Sequence, residues 1–238
     1  MRDAHGIAAE RPGPADMIEI YYAPSAVFER RRNGGFGLPL AVLIIASAVL
    51  ILGTAGLMQP IVDAETSRGM AQMMKANPKL TPEQVEKVKG IGGNLRVLGA
   101  LAIGVFALLS GLALWVVGKI VGVKQELVAA TTAGVFAFFP RLLEMVVNGA
   151  QAAVLPESSL TGRYSVSLGL GRMLDPATSP MMLALLGRVD LFTLWVTALL
   201  AIGLRVTGRA TGSQAALAGV MMWIIGALPG VLTALRMS

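Results

Sequence analysis

Arg141 and Glu144 are the residues whose types and spacing best suit chemistry, because both lie in an otherwise apolar run, roughly residues 127–148. Three positions apart, they share one face of a helix. Charged side chains within a membrane segment face other helices or water, and they often mark a path for ions, protons or substrates. Arg188 and Asp190 stand at the start of a later apolar run, at a similar expected depth. The four residues are therefore predicted to form one intramembrane polar cluster.

Two interpretations of this polar cluster are open. In the first, the cluster is a site for ions, protons or a charged substrate. In the second, it is a salt-bridge network that fixes the rotation of two helices. A transporter usually has more polar residues at the membrane midplane and an internal repeat. Because the sequence shows no convincing repeat, it favours the structural interpretation.

Enzymatic chemistry is not expected. The chain has no cysteine, and its single histidine, His5, lies near the N-terminus. The absence of cysteine excludes thiolate metal sites and cysteine nucleophiles, and one histidine in a polar tail is not expected to form a metal or acid–base site. The motifs HExxH, GxSxG and GxxxxGK[ST] are absent from the sequence. We predict no catalytic residue, no cofactor and no metal site.

Five apolar stretches must position the polar cluster, and each is about long enough to cross a bilayer. Hydrocarbon about 30 Å thick is crossed by a helix of about 20 residues. The chain is 55% hydrophobic and only 14% charged, so most of it is expected to be solvated by lipid. Because backbone polar groups in lipid must be satisfied internally, we predict an all-α, polytopic integral membrane protein with a five-helix transmembrane bundle. The stretches are roughly 38–58, 97–117, 127–148, 189–206 and 214–235.

The chain divides by composition into three parts. Residues 1–16 are predicted to be a disordered cytosolic tail, 17–36 a juxtamembrane amphipathic segment, and 37–238 the five-span membrane domain. A short helix is expected to begin near Pro24 or Ser25, and it either lies among the lipid headgroups or forms a simple turn before the first span. Within the third span, Pro140 predicts a kink.

The basic residues predict the orientation. Arg30, Arg31 and Arg32 stand directly before the first span, which favours a cytosolic N-terminus. With five spans the C-terminus is then external. The second-to-third and fourth-to-fifth connections are short and basic, as cytosolic loops should be. The expected location is the cytoplasmic (inner) membrane.

A cytosolic face for lipid or partners follows from this orientation. Its basic residues suit membrane lipids, including anionic ones, and membrane protein partners whose identity the sequence does not reveal. Nucleic acid is not expected, because apolar spans separate the cations and no aromatic residues alternate with them. The predicted face consists of Tyr21, Tyr22, Phe28, Arg30, Arg31, Arg32, Lys119, Lys124, Arg205 and Arg209.

The two longer connections, 59–96 and 149–188, are predicted to be external. The first should contain a short helix from about Pro82 to Lys89, and its methionine run at 70–74 reads as a packed turn rather than an amphipathic patch. The second is sparsely charged, so it should pack on the bundle, with a short helix over 179–186. Gly226 and Gly230 have GxxxG spacing, which we interpret as intramolecular packing rather than dimerisation.

Three short motifs follow one another along the chain in a familiar order. They are YAPSAVFE at 22–29, GVKQEL at 122–127 with the later Phe139-Pro140, and VDLFTLW at 189–195 with LAIGL at 200–204. In this order the chain resembles the Yip (Ypt/Rab-interacting protein) membrane domain family, in its bacterial branch. The resemblance implies five helices and a cytosolic N-terminus. Eukaryotic relatives act in vesicle trafficking with prenylated small GTPases, a role that the small predicted cytosolic surface does not support here.

Two functions are therefore weighed. The first is a non-enzymatic, Yip-like integral membrane protein that acts as an adaptor or organiser of membrane lipid or protein partners. The alternative is a transporter or channel for a small ion or solute that uses Arg141, Glu144 and Asp190.

Overall fold

The structure, a computed structural model, describes residues 13–76, 95–175 and 178–237, and these ranges are helical without a β-strand. The predicted all-α fold is therefore confirmed for the described residues. Three single turns of 3-10 helix lie between the seventh and eighth helices. The helices are α1 (Asp16–Glu19), α2 (Pro24–Arg30), α3 (Gly37–Gly53), α4 (Gln59–Ala76), α5 (Leu95–Ile120), α6 (Leu127–Ala137), α7 (Pro140–Val154), α8 (Pro180–Leu186), α9 (Leu191–Thr207) and α10 (Gly212–Met237).

Three helical stretches are long and apolar enough to cross a membrane: Leu98–Ile120, Leu127–Val154 and Gly212–Leu235. Helices α3 and α9 are equally apolar in character but have only 17 residues each. At 1.5 Å per residue, 17 residues reach about 26 Å, which is the lower limit for a crossing. The structure therefore shows a helical membrane protein with three candidate spans, and the crossing number of five stays a prediction.

The kink predicted at Pro140 is confirmed. Helix α6 ends at Ala137, and Pro140 begins α7 in the first turn, where its missing N–H is tolerated. At this break the Phe139 carbonyl accepts the Leu142 N–H at 2.9 Å and also a hydrogen bond of 2.9 Å from the Tyr21 hydroxyl. The N-terminal segment is thus bonded to the backbone at the kink.

The N-terminal segment packs on the bundle. As predicted, α2 begins at Pro24. The side chains of Ile20, Val27 and Phe28 are fully buried. The Phe28 ring lies against Gly203 of α9, where a Cβ atom would be 3.5 Å from its Cζ. Burial of three large apolar side chains fixes the segment to the membrane helices.

Close helix approaches depend on glycine. Gly111 of α5 faces Gly134 of α6, and a Cβ added at Gly134 would lie 2.5 Å from the Gly111 nitrogen. The two backbones therefore touch, as small residues permit in membrane helices. In α10, Gly226 faces the Arg188 guanidinium and Gly230 faces Ala184. Both glycines of the GxxxG pair thus contact the same chain, in agreement with the intramolecular interpretation.

The longer connections contain more helix than predicted. Residues 59–76 form α4, where the sequence predicted a loop, because its good helix formers are too polar to register as a span. Met73 and Met74 are exposed, so the packed-turn interpretation of this run is wrong for them. The helix predicted over 82–89 lies outside the described residues. The helix predicted over 179–186 is confirmed as α8.

The 149–188 region packs on the bundle, as its sparse charge predicted. Leu160 and Val166 are buried in a small apolar cluster with Ile61 of α4 and Ala152 of α7. The Gln151 side-chain amide also donates to the Val166 carbonyl at 2.7 Å. These contacts hold the connection against α4 and α7.

Candidate functional site

Three of the predicted cations surround one polar cavity of about 310 Å³. We name it the basic pocket. It lies where the turn after α2, the α5–α6 connection and the end of α9 meet. Arg32, Lys124 and Arg209 contribute one cation from each of these segments. The full lining is Arg32, Asn33, Lys124, Glu126, Ala129, Thr207, Gly208 and Arg209.

Side-chain hydrogen bonds join the segments that form this pocket. The Arg32 guanidinium donates through Nη2 to the Val206 carbonyl at 3.1 Å. The Gln125 side-chain amide donates to the Thr207 hydroxyl. The Arg32 bond caps a carbonyl at the end of α9, where helix dipoles favour cations. Two hydrogen bonds therefore connect the three segments that form the pocket.

Arg209 occupies a backbone position that usually belongs to glycine. Helices α5 and α9 end with the same backbone hydrogen bond. In α5 the Val123 N–H donates to the Gly118 carbonyl at 2.8 Å. In α9 the Ala210 N–H donates to the Arg205 carbonyl at 3.1 Å. This bond closes a Schellman motif around one left-handed residue. In α5 that residue is Gly122, with φ +79°, whereas in α9 it is Arg209, with φ 53°. A side chain there costs about 1–2 kcal/mol.

The cations of the pocket outnumber its carboxylates. Glu126 is the one acidic residue in the lining. Arg32 lies 3.8 Å from the exposed carboxylate of Glu29, a contact of little strength in water. Lys124 and Arg209 are exposed and form no ion pair among the described residues. The pocket thus presents an excess of positive charge to an anion.

The rest of the predicted face divides in two. Lys119, Arg205 and Tyr22 are exposed, and none of them lines the pocket. Lys119 lies over the Trp115 ring, with its Nζ 3.5 Å from the ring centroid. Phe28 is fully buried, so its prediction as a surface contact is corrected.

Arg30 and Arg31 also turn inward, because Asp16 binds both. The Arg30 Nη2 and Arg31 Nε atoms lie 2.6 Å and 2.7 Å from the two Asp16 carboxylate oxygens. Glu19 pairs with Arg30 as well. The hydrogen bonds that Arg30 donates to Asp16 are the main reason that the pKa of Arg30 is raised. These four residues form what we name the anchor cluster, and its two arginines are not available to lipid as the sequence suggested.

Asp16 was placed in the predicted tail, and the structure places it in α1 with a side chain that is only 3% exposed. Residues 1–12 of that tail lie outside the described residues. The Arg31 guanidinium also donates to the Gly13 and Gly35 carbonyls, and it lies 5.6 Å from the Phe136 ring centroid. The folded part of the chain therefore begins before the predicted boundary.

Tyr21 packs against Trp195 and bonds the Phe139 carbonyl, and it is expected to titrate at high pH. Burial raises the pKa of Tyr21 to about 12. Because the folded state holds the neutral phenol, its contribution to stability is present below about pH 10 and is lost as the pH rises through about 12. Tyrosinate absorbance is titrated for the wild type and for Tyr21→Phe, and the difference between the two curves is the signal of Tyr21. That difference should have its midpoint near pH 12. A midpoint near pH 10 would mean that Tyr21 is solvated.

The predicted intramembrane polar cluster separates into two groups. Arg141 pairs with Glu144 on α7 at 2.5 Å, and its Nη2 donates to the Thr193 hydroxyl of α9 at 3.1 Å. Arg188 turns to α10, where its Nη2 donates to the Trp223 carbonyl at 3.1 Å and its own carbonyl accepts from the Trp223 indole at 3.3 Å. The two arginines thus tie α9 and its preceding turn to different helices.

Asp190 joins neither arginine in an ion pair among the described residues. Its Oδ1 accepts the N–H groups of Phe192 and Thr193 at 3.0 and 3.2 Å, and its Oδ2 accepts the Ser167 hydroxyl at 2.9 Å. This is the N-cap of α9, a position that favours aspartate. The single four-residue ionic cluster is therefore corrected, because backbone donors at the start of α9 satisfy Asp190 instead.

Sequence reasoning missed several residues of these sites. Asn33, Glu126 and Thr207 line the basic pocket without having been singled out. Asp16 carried one usable signal, since an acid ahead of a basic run is a potential ion-pair partner. Its distance of 14 residues from Arg30 kept that signal weak.

Apolar helices, buried polar contacts between them and a polar pocket at one end define a helical integral membrane protein. The family model described as Yip1 domain matches residues 18–233. The chain therefore belongs to the Yip1 domain family, which confirms the family resemblance. A comparison with curated proteins and one with solved structures found no match.

Proposed function

We propose that this protein is a non-enzymatic organiser of the cytoplasmic membrane and that its basic pocket binds the headgroups of anionic lipids. The observation that carries the proposal is the convergence of Arg32, Lys124 and Arg209 on one cavity. The left-handed conformation of Arg209 at the end of α9 supports this proposal, since backbone strain of this kind is concentrated at functional sites. The proposal also covers an adaptor role, in which a membrane protein partner binds the same face in place of lipid.

The proposed orientation follows from the charges at the same end. The turn after α2, the α5–α6 connection and the α9–α10 connection all contribute cations there. Under the positive-inside rule this end faces the cytosol. Five crossings then place the N-terminus in the cytosol and the C-terminus outside. Anionic lipids attract such basic residues by about 1 kcal/mol each.

The test uses two double variants that remove the same charge. Lys124→Gln with Arg209→Gly empties the pocket of two cations, and the glycine should leave the α9 end at least as stable. Lys119→Gln with Arg205→Gln removes two exposed cations of the same end that do not line the pocket. Each protein is reconstituted in phosphatidylcholine vesicles with a phosphatidylglycerol fraction, and its selectivity for the anionic lipid is measured at several salt concentrations.

The pocket variant should lose selectivity by about thirtyfold, because two cations at about 1 kcal/mol each contribute about 2 kcal/mol. The control pair should lose less, and rising salt should reduce the wild-type selectivity. Equal losses in both variants would assign the effect to the general charge of that end. Unchanged selectivity in the pocket variant, with the fold intact, would remove the proposal.

The transporter or channel alternative rests on the charged residues of α7 and the turn before α9. In favour of this alternative, residues 187–190 are non-helical, and transporter sites often lie at such breaks between helices. Against it, Glu144 is paired with Arg141 and Asp190 caps α9. Neither the basic pocket nor the second cavity described below is lined by Glu144. We therefore keep the organiser as the first proposal.

A further inference from the structure

A second cavity, of about 630 Å³, lies far from the basic pocket. Thr233 of α10 lines it, whereas Gln214 of the same helix bonds the end of α5 next to the basic pocket. The rise along α10 between these two residues is about 28 Å. The two cavities therefore lie near opposite ends of the bundle.

One wall of this second cavity is strongly basic. It carries Arg68 of α4, together with Arg163 and Arg172 of the connection between α7 and α8. Glu65 is the one carboxylate in the lining, and Arg68 neutralises it at 3.0 Å. Glu65 also accepts the Arg163 backbone N–H at 2.9 Å, which fixes the connection to α4.

The other two arginines have no carboxylate within ion-pair distance in the described part of the chain. The Arg163 guanidinium lies 4.8 Å from the Tyr164 ring centroid, which fixes it by a cation–π contact. Arg172 donates through Nη1 to the neutral Gln151 side-chain oxygen at 2.7 Å. Guanidinium groups held in this way are pre-oriented for a phosphate, which they bind in two-point fashion.

Another wall of the cavity is apolar and is formed by α8 and α10. Leu183 and Ala184 of α8 line it together with Pro229 and Gly230 of α10, and Gly230 packs on Ala184. Neighbouring side chains continue this surface outward: Met182, Leu185, Leu228 and Leu232 are exposed. Exposed apolar side chains on such helices are expected to contact lipid.

Two large apolar side chains that adjoin lining residues in the sequence are unusually exposed. Val154 and Met173 are each 84% exposed, the highest value among the large apolar side chains of the described residues. Val154 precedes the lining residue Leu155, and Met173 follows the lining residue Arg172. Exposed apolar groups next to basic residues suit a boundary between headgroups and acyl chains.

We infer that the second cavity binds the phosphate headgroup of an anionic phospholipid, with its acyl chains along the α8–α10 wall. Arg163 and Arg172 hold the phosphate, and Arg68 offsets the charge of the Glu65 carboxylate in the same lining. The cavity volume lies in the range of small-molecule sites, so a headgroup fits inside it. The protein would then hold one anionic lipid at each end of its bundle.

The experiment measures retained phosphatidylglycerol by native mass spectrometry of the full chain in detergent. Arg163→Gln with Arg172→Gln should lower retention of the lipid at this cavity by about thirtyfold, as the loss of two cations implies. Lys119→Gln with Arg205→Gln is the charge-matched control and should keep it. Arg163→Gln alone is a second variant, because its guanidinium contacts a ring and forms no ion pair among the described residues, so its loss should leave the fold intact.

The outcomes separate the lipid from a free phosphate and from the basic pocket. Retention that falls in both arginine variants and resists added inorganic phosphate supports the inference. Stabilisation of the wild type by inorganic phosphate, with no difference in lipid retention, would assign the cavity to a free phosphate and overturn it. Unchanged retention in both variants would also overturn it. If the Lys124→Gln with Arg209→Gly variant kept its lipid selectivity, this result would count against the proposed function of the basic pocket but not against the second cavity.

Discussion

Asp16→Asn is expected to lower the free energy of unfolding by about 3–5 kcal/mol, the range for removal of one partner from a buried ion pair. The Asp16 carboxylate is 3% exposed and pairs with Arg30 and Arg31, whose side chains are 15% and 9% exposed. Asparagine is neutral, so the substitution leaves Arg31 with no carboxylate and Arg30 with Glu19. Unfolding of the purified protein in detergent, followed by denaturant titration, measures the change.

The control for this prediction is Glu29→Gln. Glu29 is also an acid of the N-terminal segment, but its side chain is 68% exposed and lies 3.8 Å from Arg32. An exposed pair of this kind contributes at most about 1 kcal/mol. Equal, small effects of the two substitutions would contradict the burial of the anchor cluster.

Gly111→Ala is expected to destabilise the bundle by about 2–3 kcal/mol, the cost of overpacking a well-packed core. A Cβ atom there would lie 2.5 Å from the Thr131 Cα and 3.0 Å from the Ala130 carbonyl oxygen. Both are backbone atoms of α6, so no side chain can rotate away and the two helices must separate. The same unfolding measurement in detergent reports the loss.

Gly99→Ala provides the matched control in the same helix. Its Cβ atom would meet only the Ile51 Cδ1 atom, at 3.7 Å, which is an ordinary contact. Alanine is favoured over glycine in a helix by about 1 kcal/mol, so this substitution should be neutral or stabilising. If Gly111→Ala behaved in the same way, the backbone contact between α5 and α6 would not exist in solution.

The elements that depend on local properties were predictable. Hydropathy is summed over a window of about 20 residues, and it located the apolar cores of α3, α5, α9 and α10 within a few residues. Pro140 predicted its own kink because a proline removes a backbone donor wherever it stands in a helix. Helix α4 escaped the same search because its residues are neither apolar enough for a span nor periodic enough to stand out.

The candidate site was predictable only as a set of cations. Sequence charge placed Arg32, Lys124 and Arg209 at one end of the bundle, and the structure gathers these three around the basic pocket. It could not separate them from Arg30 and Arg31, which belong to the same basic run. The left-handed conformation of Arg209 was equally hidden, because arginine gives no composition signal for it.

The sequence by itself determined that most of this protein is solvated by lipid and is helical, because the apolar character of a stretch does not depend on which other segments pack beside it. It also determined the family, through the order of its short motifs. Only the tertiary structure decided which charges remain available. An arginine is neutralised by whichever carboxylate the fold brings within a few ångströms, and Asp16 does this for Arg30 and Arg31. No carboxylate of the described residues does so for Arg163 and Arg172. The attraction between two charges weakens with distance, so ion pairing depends on which segments pack together. The order of residues in the sequence does not show which segments these are.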